Sequence, residues 1–513
     1  MRRTVRLVAA AAVGVVLLPG SATAAVEDPV VASVASIYPL NCNGAPQTGT
    51  LYPNSEVEPH VAVNPAQQGN VIAVWQQDRW SDGGAQGLPA RVSFDGGETF
   101  EPSLSPPFSR CAGGNPANGG DYERASDPWV SISPDGTAYF MALAVSFTEG
   151  RNAMLVARSR DGGRSWGPIT TLIADDGAEA FNDKNSLTAD PTDSRYAYAV
   201  WDRLATDSQG NFLGGPTYLT RTTNGGVSWE PARPIYDPGP NAQTIANQIE
   251  VLPDGTLVNL MTVIFINPDS ETETLSVGVI RSSDKGATWS EPIFIDGLGT
   301  VGVSDPRDGA PVRSGDIVPD IAVDPRRGTD DVYVVWQDAR FTSGQADSVV
   351  LSRSTDAGQT WTPPTRVSAA ESGQAFTPVA EVDSSGLLGV TYYDFTFDSP
   401  VDEPLRTDAW IVHSPDGGRS FETRQRLTPA PFDLRQAPEA GGFFVGDYTG
   451  LDAPDNGLQA LYSITEDDAG DPTDVLAQRA TASGGATVAG PVAAGPPPAA
   501  RPALQLTAPV TRN

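Results

Sequence analysis

Short apolar, β-branched runs separated by Pro-, Gly- and Asp-containing breaks recur along most of this chain. Early examples are His60-Val61-Ala62-Val63-Asn64-Pro65 and Val71-Ile72-Ala73-Val74-Trp75; Asp320-Ile321-Ala322-Val323-Asp324-Pro325 and Val332-Tyr333-Val334-Val335-Trp336 repeat the pair much later. Runs of this length and composition, bounded by turn formers, read as short antiparallel strands. Matching segments lie at Val130 to Pro134, Leu187 to Pro191, Ile249 to Pro253, Val379 to Asp383 and Tyr448 to Pro454. No stretch carries the apolar spacing of an amphipathic helix. The chain is therefore expected to be all-β.

Each strand pair leads into an eight-residue turn of the form Ser/Thr-x-Asp-x-Gly-x-Thr/Ser-Trp/Phe. It occurs at Ser93 to Phe100, Ser159 to Trp166, Thr222 to Trp229, Ser282 to Trp289, Ser354 to Trp361 and Ser414 to Phe421, with Asp95, Asp161, Asn224, Asp284, Asp356 and Asp416 at its third position. A seventh copy, Thr481 to Val488, keeps the frame without the Asp or the aromatic. Third positions are spaced by 66, 63, 60, 72, 60 and 67 residues, room for a four-stranded sheet with its loops. The third residue's oxygen is expected to accept backbone N–H groups two residues on, the Gly to supply a positive φ, and the aromatic to cover the core.

Tandem four-stranded sheets set radially form a β-propeller, in which each sheet buries its faces against its neighbours. Leu458 to Ile464 and Asp474 to Arg479 complete a last unit. Seven units predict seven blades, or six if that unit is only a closing segment. The expected organisation is a signal peptide at 1–24, an N-terminal segment with Cys42 at 25–54, the propeller at 55–489, and a loose Pro- and Ala-rich tail at 490–513.

The signal peptide is read from the basic residues Arg2, Arg3 and Arg6, the apolar run Leu7 to Leu18, and the small residues Ala22-Thr23-Ala24. That run falls short of the ~20 residues a spanning helix needs, so a secreted protein with no membrane span is expected. In that compartment Cys42 and Cys111, the only two cysteines, are expected to form one disulfide. The formal charge of -30 becomes -33 once the three signal-peptide arginines are gone. Such a surface disfavours nucleic acid and anionic lipid as partners. A monomer with no required cofactor is expected.

The turns resemble the Asp-box, or bacterial neuraminidase, repeats of the sialidase superfamily, over roughly residues 55–488. The resemblance implies a propeller fold and a secreted, exo-α-sialidase-like glycoside hydrolase acting on a glycan or glycoconjugate. Asp-box propellers also include other glycosidases, sorting receptors and assembly factors, which keeps open a non-catalytic propeller that binds glycans or proteins. One departure concerns specificity: no Arg-Ile-Pro stands near the first strand, where the family places its first substrate arginine, and the chain has Glu58-Pro59-His60 there.

If the strands of a unit run antiparallel, the first strand's start and the second strand's end share one face, and the turn lies on the other. Sialidases, as the resemblance implies, hold their catalytic centre opposite the boxes. On that face the first strands begin with Glu58, Asp127, Asp183, Lys184, Asn247, Gln248, Asp320 and Asp447-Tyr448. Converging carboxylates can serve as glycosidase acid, base or nucleophile, or hold calcium with their hard oxygens. The alternative is repeat consensus, with acids such as Glu58 and Asp127 tying strand starts to neighbouring blades.

Arg79, Arg203 and Arg340 follow second strands and can clamp a substrate carboxylate, although each has an Asp close by to pair with. Breaks in the repeat at Tyr122-Glu123-Arg124, Asp183-Lys184-Asn185 and Tyr392-Tyr393-Asp394 mark further candidates. A Tyr beside an acid is the nucleophile arrangement of sialidases, a role open to Tyr392 or Tyr393 unless they only pack. The candidate catalytic residues are thus Asp127, Asp183, Tyr393, Asp394 and Asp447; Arg79, Arg124, Arg203, Arg340, Glu58, Asp320 and Tyr448 are candidates for substrate binding.

Overall fold

The computed structural model describes residues 26–481 apart from 178, 271, 400 and 456, together with 501–502. The signal-peptide segment, most of the seventh turn and nearly all of the tail lie outside the described residues.

The described chain is all-β, a propeller of antiparallel sheets with three short 3-10 turns. Among the described residues the strands form sheets of three to nine strands, most of them built on a four-strand path, that follow one another along the chain. Their innermost strands are Leu51–Val63, Arg124–Ile132, Ala180–Ala189, Ala242–Val251, Asp320–Val323, Ala375–Val382 and Gly450–Asp455. Each innermost strand packs on the next, and Gly450–Asp455 packs on Leu51–Val63, which closes the ring. Three strands of the last sheet come from the chain's end; the fourth is Val30–Val31, so the N-terminal segment is built into the ring. Cys42 and Cys111 are joined, fastening that segment to the loop after the first sheet.

The cores lie between sheets. Trp75, Trp201 and Trp336 are fully buried at the same place on second strands. At about 200 Å² and 25 cal/mol per Å², each contributes roughly 5 kcal/mol of transfer free energy. Their indole N–H groups donate to Gln77, Asn182 and Asp338 at 2.9, 2.9 and 3.1 Å, so burial leaves no orphan donor.

Registers settle which end is which. Leu51 pairs with Trp80 and Val63 with Val71, while Val71 also pairs with Ser93. First-strand starts therefore share a face with second-strand ends, and the turns lie opposite. The six turns close on themselves: the third residue's Oδ1 accepts the amide four residues on, at 2.8–3.0 Å. The donor is thus four residues on, not two, because a Gly with φ between +72° and +96° reverses the chain first.

Candidate functional site

Five innermost strands carry the same irregularity near their starts. The register slips between Val57 and His60, Ser126 and Trp129, Asp183 and Ser186, Ile245 and Gln248, and Phe376 and Val379. At each slip one non-glycine residue is left-handed: Glu58, Asp127, Lys184, Ala246 and Thr377, with φ of 52°, 51°, 43°, 59° and 50°. Such bulges re-aim side chains, and each left-handed residue costs of order 1–3 kcal/mol.

In the first three strands the re-aimed side chains meet. Lys184 Nζ lies 3.3 Å from Glu58 Oε1, 3.3 Å from Asp127 Oδ1 and 2.6 Å from Asp447 Oδ2. Glu58, Asp127 and Asp447 are only 1, 3 and 5 % exposed. Gln76 donates to the other oxygen of Glu58 and to Ser126 Oγ, and Arg79 Nη1 donates to Gln76 Oε1 at 2.8 Å.

Asp447 reaches the axis through two insertions between sheets. Pro311–Arg313 pairs in parallel with Phe443–Phe444, and from that pairing Arg313 donates to both oxygens of Asp447, at 3.0 and 2.5 Å. Gly446 is required there: with φ 144°, a Cβ would come 3.0 Å from the Glu58 amide nitrogen and 2.7 Å from the Tyr448 carbonyl oxygen. The Phe444 ring lies 5.1 Å from the Arg79 guanidinium and 4.6 Å from that of Arg313.

Electrostatics sorts the acids. Burial pushes Glu58 up to about 7, Lys184 opposing it and Asp127 and Asp447 assisting. Burial, then the charge of Asp127, pushes Asp183 up to about 6. Burial would raise Asp447 as well, but Arg313 and Lys184 hold it far below the usual carboxylate range. Asp202 pairs across the strands with Asp183; buried, with one oxygen lacking a hydrogen-bond partner, it is raised well above its ordinary value by burial and then by Asp183.

Aromatic rings floor the cluster. Tyr448, whose hydroxyl donates to the Pro128 carbonyl at 3.4 Å, lies 5.4 Å from Trp129, which lies 4.0 Å from His60. These three rings also line an axial channel of about 930 Å³. Asp320 lines the channel with Glu250, Glu381 and Asp452, and accepts the Ala380 amide at 2.8 Å, tying its blade to the next. Among the described residues no three His, Cys, Asp or Glu side chains are grouped so as to hold a metal ion.

The other candidates stand elsewhere, each bonded locally. Arg124 donates to Asp82, Gln47, Gly83 and Thr48 between the rings of Trp80 and Phe147. Arg203 pairs with Asp175, and Arg340 with Asp338 and Asp296. Tyr393 is buried against Phe376 and donates to the Ser463 carbonyl at 2.8 Å, while Asp394 accepts from Trp410, Thr396 and Arg424. Arg79 is the exception among the three second-strand arginines, since it joins the axial cluster without pairing to its neighbour Asp78. Arg313, Gln76 and Asp202 were not singled out in the sequence; the longest spacing, 72 residues, was the sign of the insertion that carries Arg313.

No family model matches the chain, and no curated sequence does. Among solved structures it is similar to a protein of unknown function from Dyadobacter fermentans, at 16 % identity and TM-score 0.46 over 90 % of this chain and 99 % of that one. It is also similar to a Hadza microbial sialidase, at 16 % and 0.44 over 90 and 94 %. A third similarity is to an α-L-arabinanase of Penicillium chrysogenum, at 12 % and 0.43 over 88 and 98 %. Likenesses this distant assign no residue here a role.

Proposed function

We propose that this protein is a secreted glycoside hydrolase acting on extracellular glycans, with its chemistry at the axial cluster. The observation that carries the reading is the convergence of Glu58, Asp127 and Asp447 on one ammonium at the face opposite the turns. Glu58, held up to about 7, is protonated in mildly acidic solution and suits a general acid there. Asp127, which shares a single contact with Lys184, serves as base or nucleophile. Asp447 has both oxygens held by cations and anchors the cluster. The oxygens of Glu58 and Asp127 lie within 6.6 Å, the sum of their two 3.3 Å distances to Lys184. That upper bound leaves room for the ~5–5.5 Å of a retaining pair and excludes nearly all of the ~6.5–9.5 Å of an inverting one.

The burial of all three carboxylates favours a second reading, a propeller that binds a glycan or protein at this face without turnover. Hydrolysis of a panel of fluorogenic glycosides, a sialoside among them, separates the two. Turnover abolished by Glu58→Gln and Asp127→Asn supports the hydrolase. Binding of a glycan without turnover of any glycoside supports the binder, and turnover that survives both substitutions rejects the site.

A further inference from the structure

We propose that Lys184 is the positioning residue of the axial site: its one ammonium, bonded to Glu58, Asp127 and Asp447 together, sets their separation and makes the protonation of each sensitive to the others. What the acids do chemically rests on the hydrolase reading above; the coupling itself does not.

The residue type fits the geometry. An ammonium has three N–H donors on one nitrogen, and here three carboxylates from three blades take them. A guanidinium is a planar fork that clamps one carboxylate, as Arg313 clamps Asp447. Only two of the chain's 33 basic residues are lysines, 184 and 285. In a protein that otherwise meets its acids with arginine, the compact charge stands where one atom must reach three partners.

The backbone places it deliberately. Lys184 is left-handed at a bulge, and its amide donates to its neighbour Asp183 at 3.0 Å. Tyr448 lies beneath the ammonium at 5.8 Å, and Arg313, Arg79, Asp183 and Asp202 are the other charges acting on the cluster. Burial disfavours the ammonium, but the three acids hold it protonated well above the ordinary lysine range.

Having two lysines makes the test clean. In ¹⁵N-lysine-labelled protein two ammonium signals are expected, and Lys285→Arg identifies the second. The Lys184 signal should survive into alkaline solution and step in chemical shift near pH 7, as Glu58 titrates. The step should vanish in Glu58→Gln and move to lower pH in Asp127→Asn, which keeps the test open if one variant does not fold. A Lys184 signal without a step, or a step unaltered in Glu58→Gln, overturns the proposal. On any glycoside that the wild type hydrolyses, Lys184→Arg should lower kcat/KM at least tenfold although it keeps the charge; an unchanged kcat/KM in Lys184→Arg overturns the positioning role. A wild type that hydrolyses nothing defeats the hydrolase reading, and the lysine signal still decides the coupling.

Discussion

The two faces of the propeller use one economical idea in opposite ways. On the turn face, six copies of a motif hold closely similar residues around the same backbone hydrogen bond, each complete within eight residues. On the axial face, five copies of a bulge hold different residues, acid, acid, lysine, alanine and threonine, and three of them are complete only when joined across blades. Repetition of side chains marks scaffold. Repetition of backbone with divergent side chains marks a place where the scaffold presents chemistry.

The largest expected break between the faces is catalytic. Asp127→Asn should lower kcat/KM by about 10³-fold, within the range for a lost acid–base partner. Asp161→Ala, on the turn face, should leave it within about twofold, because that carboxylate bonds only inside its own turn. Parallel steady-state kinetics on one substrate check both.

Stability should divide the faces next. Lys184→Met strands buried carboxylates and should cost about 3–5 kcal/mol in urea unfolding. Asp161→Ala removes a local cap-like acceptor and should cost about 1 kcal/mol. Between these, Arg203→Ala takes the cation from Asp175, which keeps only the Asn182 amide as a side-chain donor, and should cost about 2 kcal/mol without altering kcat/KM.

The subtlest contrast is in pH dependence. Threonine hydroxyls hold Asp95 and Asp284 down at about 2. A depressed folded value means that their stabilisation is present above about pH 4 and lost as pH falls through about 2. Burial raises Glu58 and Asp320 to about 7 and Glu250 to about 8. For an acid, a raised folded value means that stability is highest while both states are protonated and declines as pH rises from about 4 to about 8. Urea midpoints measured across pH should therefore peak near pH 4–5, and Glu250→Gln should flatten only the alkaline slope.

Much of this was legible in the residues. Strands, turns and the opposition of the two faces follow from apolar runs, Gly positions and antiparallel order, because local patterns determine them. The axial acids were legible as strand starts, and so was the competing role of Asp320, which ties two blades. Convergence was harder to read: Lys184, Glu58 and Asp447 are separated by over a hundred residues, and nothing local says that they touch. Arg79, Arg203 and Arg340 look equivalent in sequence, yet two pair with nearby acids while Arg79 turns inward through Gln76. Tyr393 and Asp394 sit side by side in the chain, but adjacent strand residues point to opposite faces, one into a core and the other toward Trp410 and Arg424.

The location of the chemistry can be tested most directly by affinity labelling. An epoxyalkyl glycoside of whichever sugar the protein hydrolyses best should inactivate it with one equivalent, and the natural substrate should protect. Peptide mass spectrometry should then place the adduct on Glu58 or Asp127. A protectable, stoichiometric adduct on a turn aspartate, or on the channel acids Glu250 or Glu381, would contradict the account.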